Sequence, residues 1–124
     1  MTNRVPPLSY RWVIYNGINR LLPWEFVHDE KRDAFDAIYY KEAVGIDKHK
    51  VFTFARRVDC DDLAAFVMKD NVVTDRVVYF HPGYSITAFG NDYLVNGYYD
   101  NFWEFFEKVM IPDSKDREDE GEMA

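Results

Sequence analysis

The chain has 124 residues, of which 48% are hydrophobic and 18% aromatic, with 15 basic against 22 acidic residues and one cysteine. This length supports one domain, since two separate cores would each be near the size at which folding alone is marginal. The hydrophobic fraction excludes a wholly disordered chain. The single Cys60 excludes an intrachain disulfide and a cysteine-rich metal site, and it suggests a reducing compartment. The net charge of −7 argues against direct binding of duplex DNA or of an anionic membrane.

The chain changes character at Pro112. Residues 113–124 contain six acidic and two basic residues and no aromatic one. Such a segment buries too little apolar surface to offset the entropy of ordering it, so we predict a domain over residues 1–112 and a flexible acidic tail over 113–124. An acidic arm that touches a basic partner is the functional alternative. No secretory signal or membrane-spanning stretch is recognisable, and a cytoplasmic location is expected.

The first third of the chain has helical periodicity. The pattern predicts a helix over residues 8–22, although Gly17 and the following Pro23 interrupt it. Its apolar positions lie close to the i, i+3/i+4, i+7 spacing of one helix face: Leu8, Trp12, Tyr15, Ile18, Leu21 and Leu22. A second helix is predicted to begin at a capping Asp29 and to stop at Gly45.

From residue 51 onward β-branched and aromatic residues dominate. The pattern predicts strands over 51–56, 63–68, 76–81, 84–89 and 93–99, with a turn at Asp70-Asn71. A last helix follows, for which Asn101 and Glu104 have the spacing of a capping box. Connections of a few residues favour antiparallel pairing, because parallel crossovers need a dozen residues or more. We therefore predict a single α+β domain with an antiparallel sheet flanked by helices.

The densest polar segment is residues 56–62, which contains three aspartates within four positions. A calcium loop counted from Asp59 needs glycine at its sixth position and glutamate at its twelfth, where this chain has Ala64 and Asp70. The pattern fails, and we predict no metal or cofactor. The alternative is a polar turn whose aspartates bind backbone amides and pair with Arg56 or Arg57.

The sequence offers little for covalent catalysis. Cys60 with His81 or His49, oriented by Asp61, would suit a small thiol hydrolase, but no local motif supports it. Acidic neighbours also disfavour the thiolate of Cys60. The six glycines are scattered singly and form no phosphate-binding loop. We therefore expect a protein without catalytic residues.

Several segments resemble one known family. Residues 52–66, Phe-Thr-Phe-Ala-Arg-Arg-Val-Asp-Cys-Asp-Asp-Leu-Ala-Ala-Phe, resemble a segment of the SUKH superfamily, which is named after a fungal cell-wall-synthesis regulator. Residues 22–24, 77–81 and 99–106 are similar to that family's proline-tryptophan element, hydrophobic strand and closing aromatic helix, in the same order. The chain departs from the pattern at Cys60, where asparagine is expected, and at residues 81–83, where histidine-aspartate is expected.

The resemblance implies a non-catalytic α+β domain that binds proteins. Bacterial members look like immunity proteins that bind a toxin, often a nuclease, whereas the fungal relatives are regulatory adaptors. An acidic inhibitor of a basic nuclease gains association rate and specificity from complementary charge, and aromatic side chains supply binding energy. The candidate partner-binding residues are Asp61, Asp62 and Asp92 for charge and Tyr84, Tyr93 and Tyr98 as anchors. The alternative is a regulatory or scaffold module of the same fold.

Overall fold

The computed structural model describes residues 5–42, 50–81 and 95–121. Within these residues six strands form one antiparallel sheet, with neighbours following chain order. The strands are β1 Arg20–Leu21, β2 Trp24–Phe26, β3 Lys50–Arg57, β4 Leu63–Lys69, β5 Val72–Phe80 and β6 Val95–Tyr99. The helices are α1 Leu8–Tyr15, α2 Asp29–Glu42, α3 Phe102–Phe105 and α4 Ile111–Asp119, and a π-helical turn, Phe106–Met110, joins the last two. The predicted α+β fold with an antiparallel sheet is confirmed.

Both faces of the sheet are covered. On one face, which we call the aromatic face, α1 and α3 pack on a core of phenylalanine and tryptophan side chains that includes Trp24, Phe54, Phe66, Phe102 and Phe105. On the other face Phe35 of α2 packs on a smaller and mainly aliphatic cluster made of Val51, Leu63, Ala65, Val78 and Phe80, which we call the aliphatic cluster. The alternation of side chains along each strand produces this division.

The first predicted helix is shorter than expected. α1 stops at Tyr15, and Gly17 follows it with a φ of +80°, a conformation that glycine adopts without steric cost. The N–H of Gly17 donates to the carbonyl of Ile14 at 2.9 Å, and the N–H of Ile18 donates to that of Val13 at 3.3 Å. The prediction of a helix to residue 22 was therefore wrong at its C-terminal end, where β1 and β2 form a hairpin instead.

The strands lie close to their predicted positions. β3 and β4 match the strands predicted at 51–56 and 63–68, and β6 covers most of the one predicted at 93–99. β5 begins four residues earlier than predicted, because Asp70 and Asn71 have φ angles of +52° and +65° and make a tight hairpin turn. The strand predicted at 84–89 and the helix stop at Gly45 lie outside the described residues.

The last helix begins as predicted but continues further. The Asn101 side chain accepts a hydrogen bond from the N–H of Glu104 at 2.9 Å. The helix then passes Pro112 and ends at Asp119, so the prediction of a flexible tail from residue 113 was wrong as far as that residue. Pro112 lies in the first turn of α4, directly after the π-helical turn. Proline cannot donate the backbone hydrogen bond of a regular helix, and the change from π-helical to α-helical pairing falls next to it.

Candidate functional site

Three of the six predicted partner-binding residues lie in the described part of the chain. Asp61 is exposed in the loop between β3 and β4, whereas Asp62 and Tyr98 are half-buried. The other three residues lie outside it: Tyr84, Asp92 and Tyr93.

Asp62 is held by contacts within the fold. Its Oδ2 accepts a hydrogen bond from the Tyr79 hydroxyl at 2.6 Å, and its Oδ1 lies 2.5 Å from Nδ1 of His81. Burial raises the pKa of Tyr79, and the hydrogen bond to the Asp62 carboxylate raises it further. Both oxygens of Asp62 are therefore engaged in the structure itself.

The structure does not bring Asp62 and Tyr98 together. Tyr98 pairs with Val78 in the sheet and packs with the aliphatic cluster, where the Arg76 guanidinium lies 4.2 Å from its ring centre. Tyr79, which Asp62 contacts, packs against the core on the aromatic face. Because adjacent residues of a strand point to opposite faces, the surroundings of Asp62 and of Tyr98 are separated by the sheet.

The loop between β3 and β4, residues 58–62, contributes to the contacts that join α4 to the sheet, and we call it the aspartate-rich loop. Arg57 binds Asp59 through two hydrogen bonds of 2.9 and 2.8 Å, which confirms the predicted pairing. Arg57 Nη1 and the indole Nε1 of Trp24 also donate to Oδ2 of Asp113, at 3.2 and 2.9 Å. Arg117 Nη1 binds Asp59 at 3.1 Å. These contacts of the loop and the neighbouring strands hold α4 against the sheet. The described residues contain no cluster of side chains that could bind a metal ion.

The pairing of Arg57 with Asp59 predicts that the fold loses stability in acid. The hydrogen bond from Arg57 lowers the pKa of Asp59 below its ordinary value, so the stabilisation is complete above about pH 4 and is lost as the pH falls through the lowered pKa. The Asp59→Asn variant should therefore lose less stability between pH 5 and pH 2 than the unaltered protein, as measured by urea unfolding across that range. Asp119→Asn, at the exposed end of α4, is the control. Equal acid losses in Asp59→Asn and the unaltered protein would contradict the assignment.

The geometry around Cys60 does not favour a nucleophile. Partial burial raises the pKa of its thiol, and a backbone hydrogen bond from Asp62 offsets only part of this rise. The carboxylate that contacts His81 belongs to Asp62 and not to Asp61, the residue proposed from the sequence. The thiolate is thus disfavoured.

An exposed apolar surface on α1 went unrecognised in the sequence. α1 buries Tyr10 and Val13 instead of the predicted face. Leu8, Trp12 and Tyr15 are exposed to 69%, 57% and 82%, and the rings of Trp12 and Tyr15 are stacked with centroids 6.0 Å apart. Together with Arg11, which shares their side of the helix, we call these residues the α1 stripe. The spacing of the stripe was visible in the sequence, but it indicated a core face.

A groove runs between α1 and the beginning of α2. Its volume is about 750 Å³, and its lining includes the buried rings of Tyr10, Phe26 and Phe52. Tyr15 of the α1 stripe lines it from one side and Asp33 from the other. The α1 stripe is therefore continuous with a concave surface that contains both aromatic and charged side chains.

Arg32 lies at the buried end of this groove. It is 6% exposed, and its Nε and Nη2 donate to the carbonyls of Thr53 and Val27 at 2.8 and 2.9 Å. Its Nη1 pairs with Asp29. Asp36, one turn further along α2, accepts the N–H of Thr53 at 2.7 Å. Two side chains of α2 thus satisfy both backbone polar groups of Thr53.

Comparison with known proteins does not assign the chain to a family. No protein-family model, curated protein or solved structure matches it. Within the described residues, no helix combines the length and apolar character needed to cross a membrane. The fold and surface define an α+β protein with a six-stranded antiparallel sheet and an exposed aromatic stripe on its first helix.

Proposed function

We propose that this chain is a non-enzymatic immunity protein that acts in the cytoplasm and neutralises a toxin domain, such as a nuclease, by stoichiometric binding. The observation that carries the proposal is the α1 stripe. Tryptophan and tyrosine contribute much of the energy at protein interfaces, because they bury a large area with few rotors to freeze. A contiguous set of exposed apolar side chains on a soluble domain marks an interaction surface.

The resemblance to the SUKH superfamily supports the same reading. Residues 52–66, which carry its most specific part, lie in β3, the aspartate-rich loop and β4. In that segment Arg57 and Asp59 bind each other and Asp62 binds Tyr79, so these polar groups organise the fold. Such a role accounts for an arginine- and aspartate-rich segment in a protein without catalysis.

Co-expression with the toxic domain encoded beside this gene tests the proposal. The protein should restore growth and form a complex of defined stoichiometry with that domain, as measured by light scattering after size-exclusion chromatography. Replacing Trp12 and Tyr15 with alanine should weaken the complex about 100-fold, since each side chain is expected to contribute about 1.4 kcal/mol. Val72→Ala, a change at an exposed apolar residue of β5, is the matched control. Absence of both rescue and complex would refute the proposal.

A regulatory or scaffold module of the same fold is the second candidate. One observation favours it: the charged member of the α1 stripe is Arg11, whereas an inhibitor that covers a basic nuclease cleft would present acidic residues. In that case the toxin domain would remain active, and a cellular protein would bind the unaltered chain but not the Trp12→Ala variant.

A further inference from the structure

We infer that the α1 stripe docks an amphipathic helix of a partner protein, whose apolar side chains are flanked by carboxylates. The inference rests on the proposed function and deepens it, because it names the chemistry of the surface that is bound. On a nuclease toxin, such a helix would lie outside the basic cleft that holds nucleic acid. Neutralisation would then leave that cleft uncovered by the α1 stripe.

The spacing of the stripe fits a helix. Leu8, Arg11, Trp12 and Tyr15 stand at i, i+3, i+4 and i+7, which places them on one face of α1 in two adjacent rows of i, i+4 neighbours. The ridges of one helix pack into the grooves of another at an axial separation of about 8–10 Å. The underside of α1 already rests on the sheet through Tyr10 and Val13, so the α1 stripe faces away from the core. A second helix can therefore lie along it.

The charge on α1 indicates whether a partner helix with acidic or with basic flanks binds better. α1 contains Arg11 and no acidic residue, although the whole chain has a net charge of −7. Arg11 Nε donates to the carbonyl of Pro6 at 3.0 Å, which holds the exposed guanidinium next to the apolar side chains. A guanidinium binds a carboxylate through paired hydrogen bonds and repels an ammonium group. The partner helix should therefore carry its carboxylates along the flank that lies next to Arg11, away from Asp33 on the far side of the groove.

The adjoining groove provides a place for one large side chain. Tyr15 belongs both to the α1 stripe and to the groove lining, where the buried rings of Tyr10 and Phe52 lie. A volume of about 750 Å³ accommodates an aromatic residue projecting from a helix on the stripe. Anchors that fill such pockets dominate binding energy at protein interfaces.

Two synthetic helices test the inference without the toxin. Both are fluorescein-labelled peptides of about 18 residues with one leucine and phenylalanine face, and they differ in having glutamate or lysine flanks. By fluorescence anisotropy the glutamate peptide should bind about tenfold more tightly than the lysine peptide, a difference that Arg11→Glu should abolish or reverse. Trp12→Ala should weaken binding of both peptides about tenfold. Raising the salt concentration should shrink the difference between peptides.

The controls match each change. Lys108→Glu reverses an exposed charge on the last helix and Val72→Ala shortens an exposed apolar side chain, and neither should alter peptide affinity. Equal affinity for the two peptides, no binding of either, or unchanged preference in Arg11→Glu would overturn the inference. Binding to phosphatidylglycerol vesicles in place of peptide would overturn it as well and assign the stripe to a membrane. Failed toxin rescue with intact peptide selectivity would refute only the proposed function.

Discussion

The Arg32→Met variant is expected to lower the free energy of unfolding by about 3 kcal/mol. The change removes the donors that satisfy the buried carbonyls of Thr53 and Val27 and leaves both without a partner. It also removes the guanidinium that lies 4.0 Å from the ring centre of Phe52. Methionine matches the length and apolar character of the arginine stem, so the loss reports on the contacts of the guanidinium and not on those of the stem. Urea unfolding followed by circular dichroism measures it.

Arg56→Met is the matched control. Arg56 binds Glu25 at 2.8 Å on the surface, where 42% of the Arg56 side chain is exposed. Such a pair contributes about 1 kcal/mol at most. Arg32→Lys should recover only part of the loss, since an ammonium group cannot reach two diverging carbonyls through a planar fork. Equal losses in the Arg32→Met and Arg56→Met variants would contradict the buried hydrogen-bonding role.

The Phe54→Ala variant should lower the free energy of unfolding by about 4 kcal/mol. Phe54 is fully buried, and its ring stacks on Phe66 with centroids 4.4 Å apart. The edges of Tyr10 and Phe102 meet the same ring at 5.6 Å each. One side chain therefore joins α1, the sheet and α3, and alanine would leave a cavity in contact with all three.

Thermal and urea unfolding should show this loss with a single transition and an unchanged urea dependence. Trp103→Ala removes a larger but partly exposed ring from α3 and should cost less than half as much. Phe54→Leu should fall between them, because leucine fills part of the cavity. A similar loss in Phe54→Ala and Trp103→Ala would show that the aromatic face is not packed around Phe54.

Local signals predicted most of the fold. The hairpin at Asp70 and Asn71 and the cap at Asn101 depend on neighbouring residues, and both were readable from the chain. The prediction of a flexible tail from residue 113 did not have such a local signal to guide it. Its composition indicated too little apolar burial, but the indole of Trp24, 89 positions away in sequence, donates to Asp113. A partner so distant cannot be inferred from the composition of the segment itself.

The exposure of the α1 stripe was harder to predict, because it too depends on contacts between distant parts of the chain. Periodicity identifies an apolar side of a helix but does not say whether anything covers it, and α1 is held instead by Tyr10 and Val13. The Arg57–Asp59 pair was predictable because its members are two positions apart. Asp62, Tyr79 and His81 come together through strand register, which the sequence alone did not specify.

The position of α2 beside Thr53 has a consequence for self-assembly. β2 pairs with β3 over residues 55–57, and the N–H of Val27 adds one hydrogen bond to the carbonyl of Phe54, so the first residues of β3 extend beyond this neighbour. An unpaired strand edge is a template on which another chain can add a strand. Arg32 and Asp36 occupy the backbone carbonyl and N–H of Thr53, to which an added strand would otherwise bond. α2 therefore covers this part of the edge of β3 and opposes the addition of a strand from another chain there.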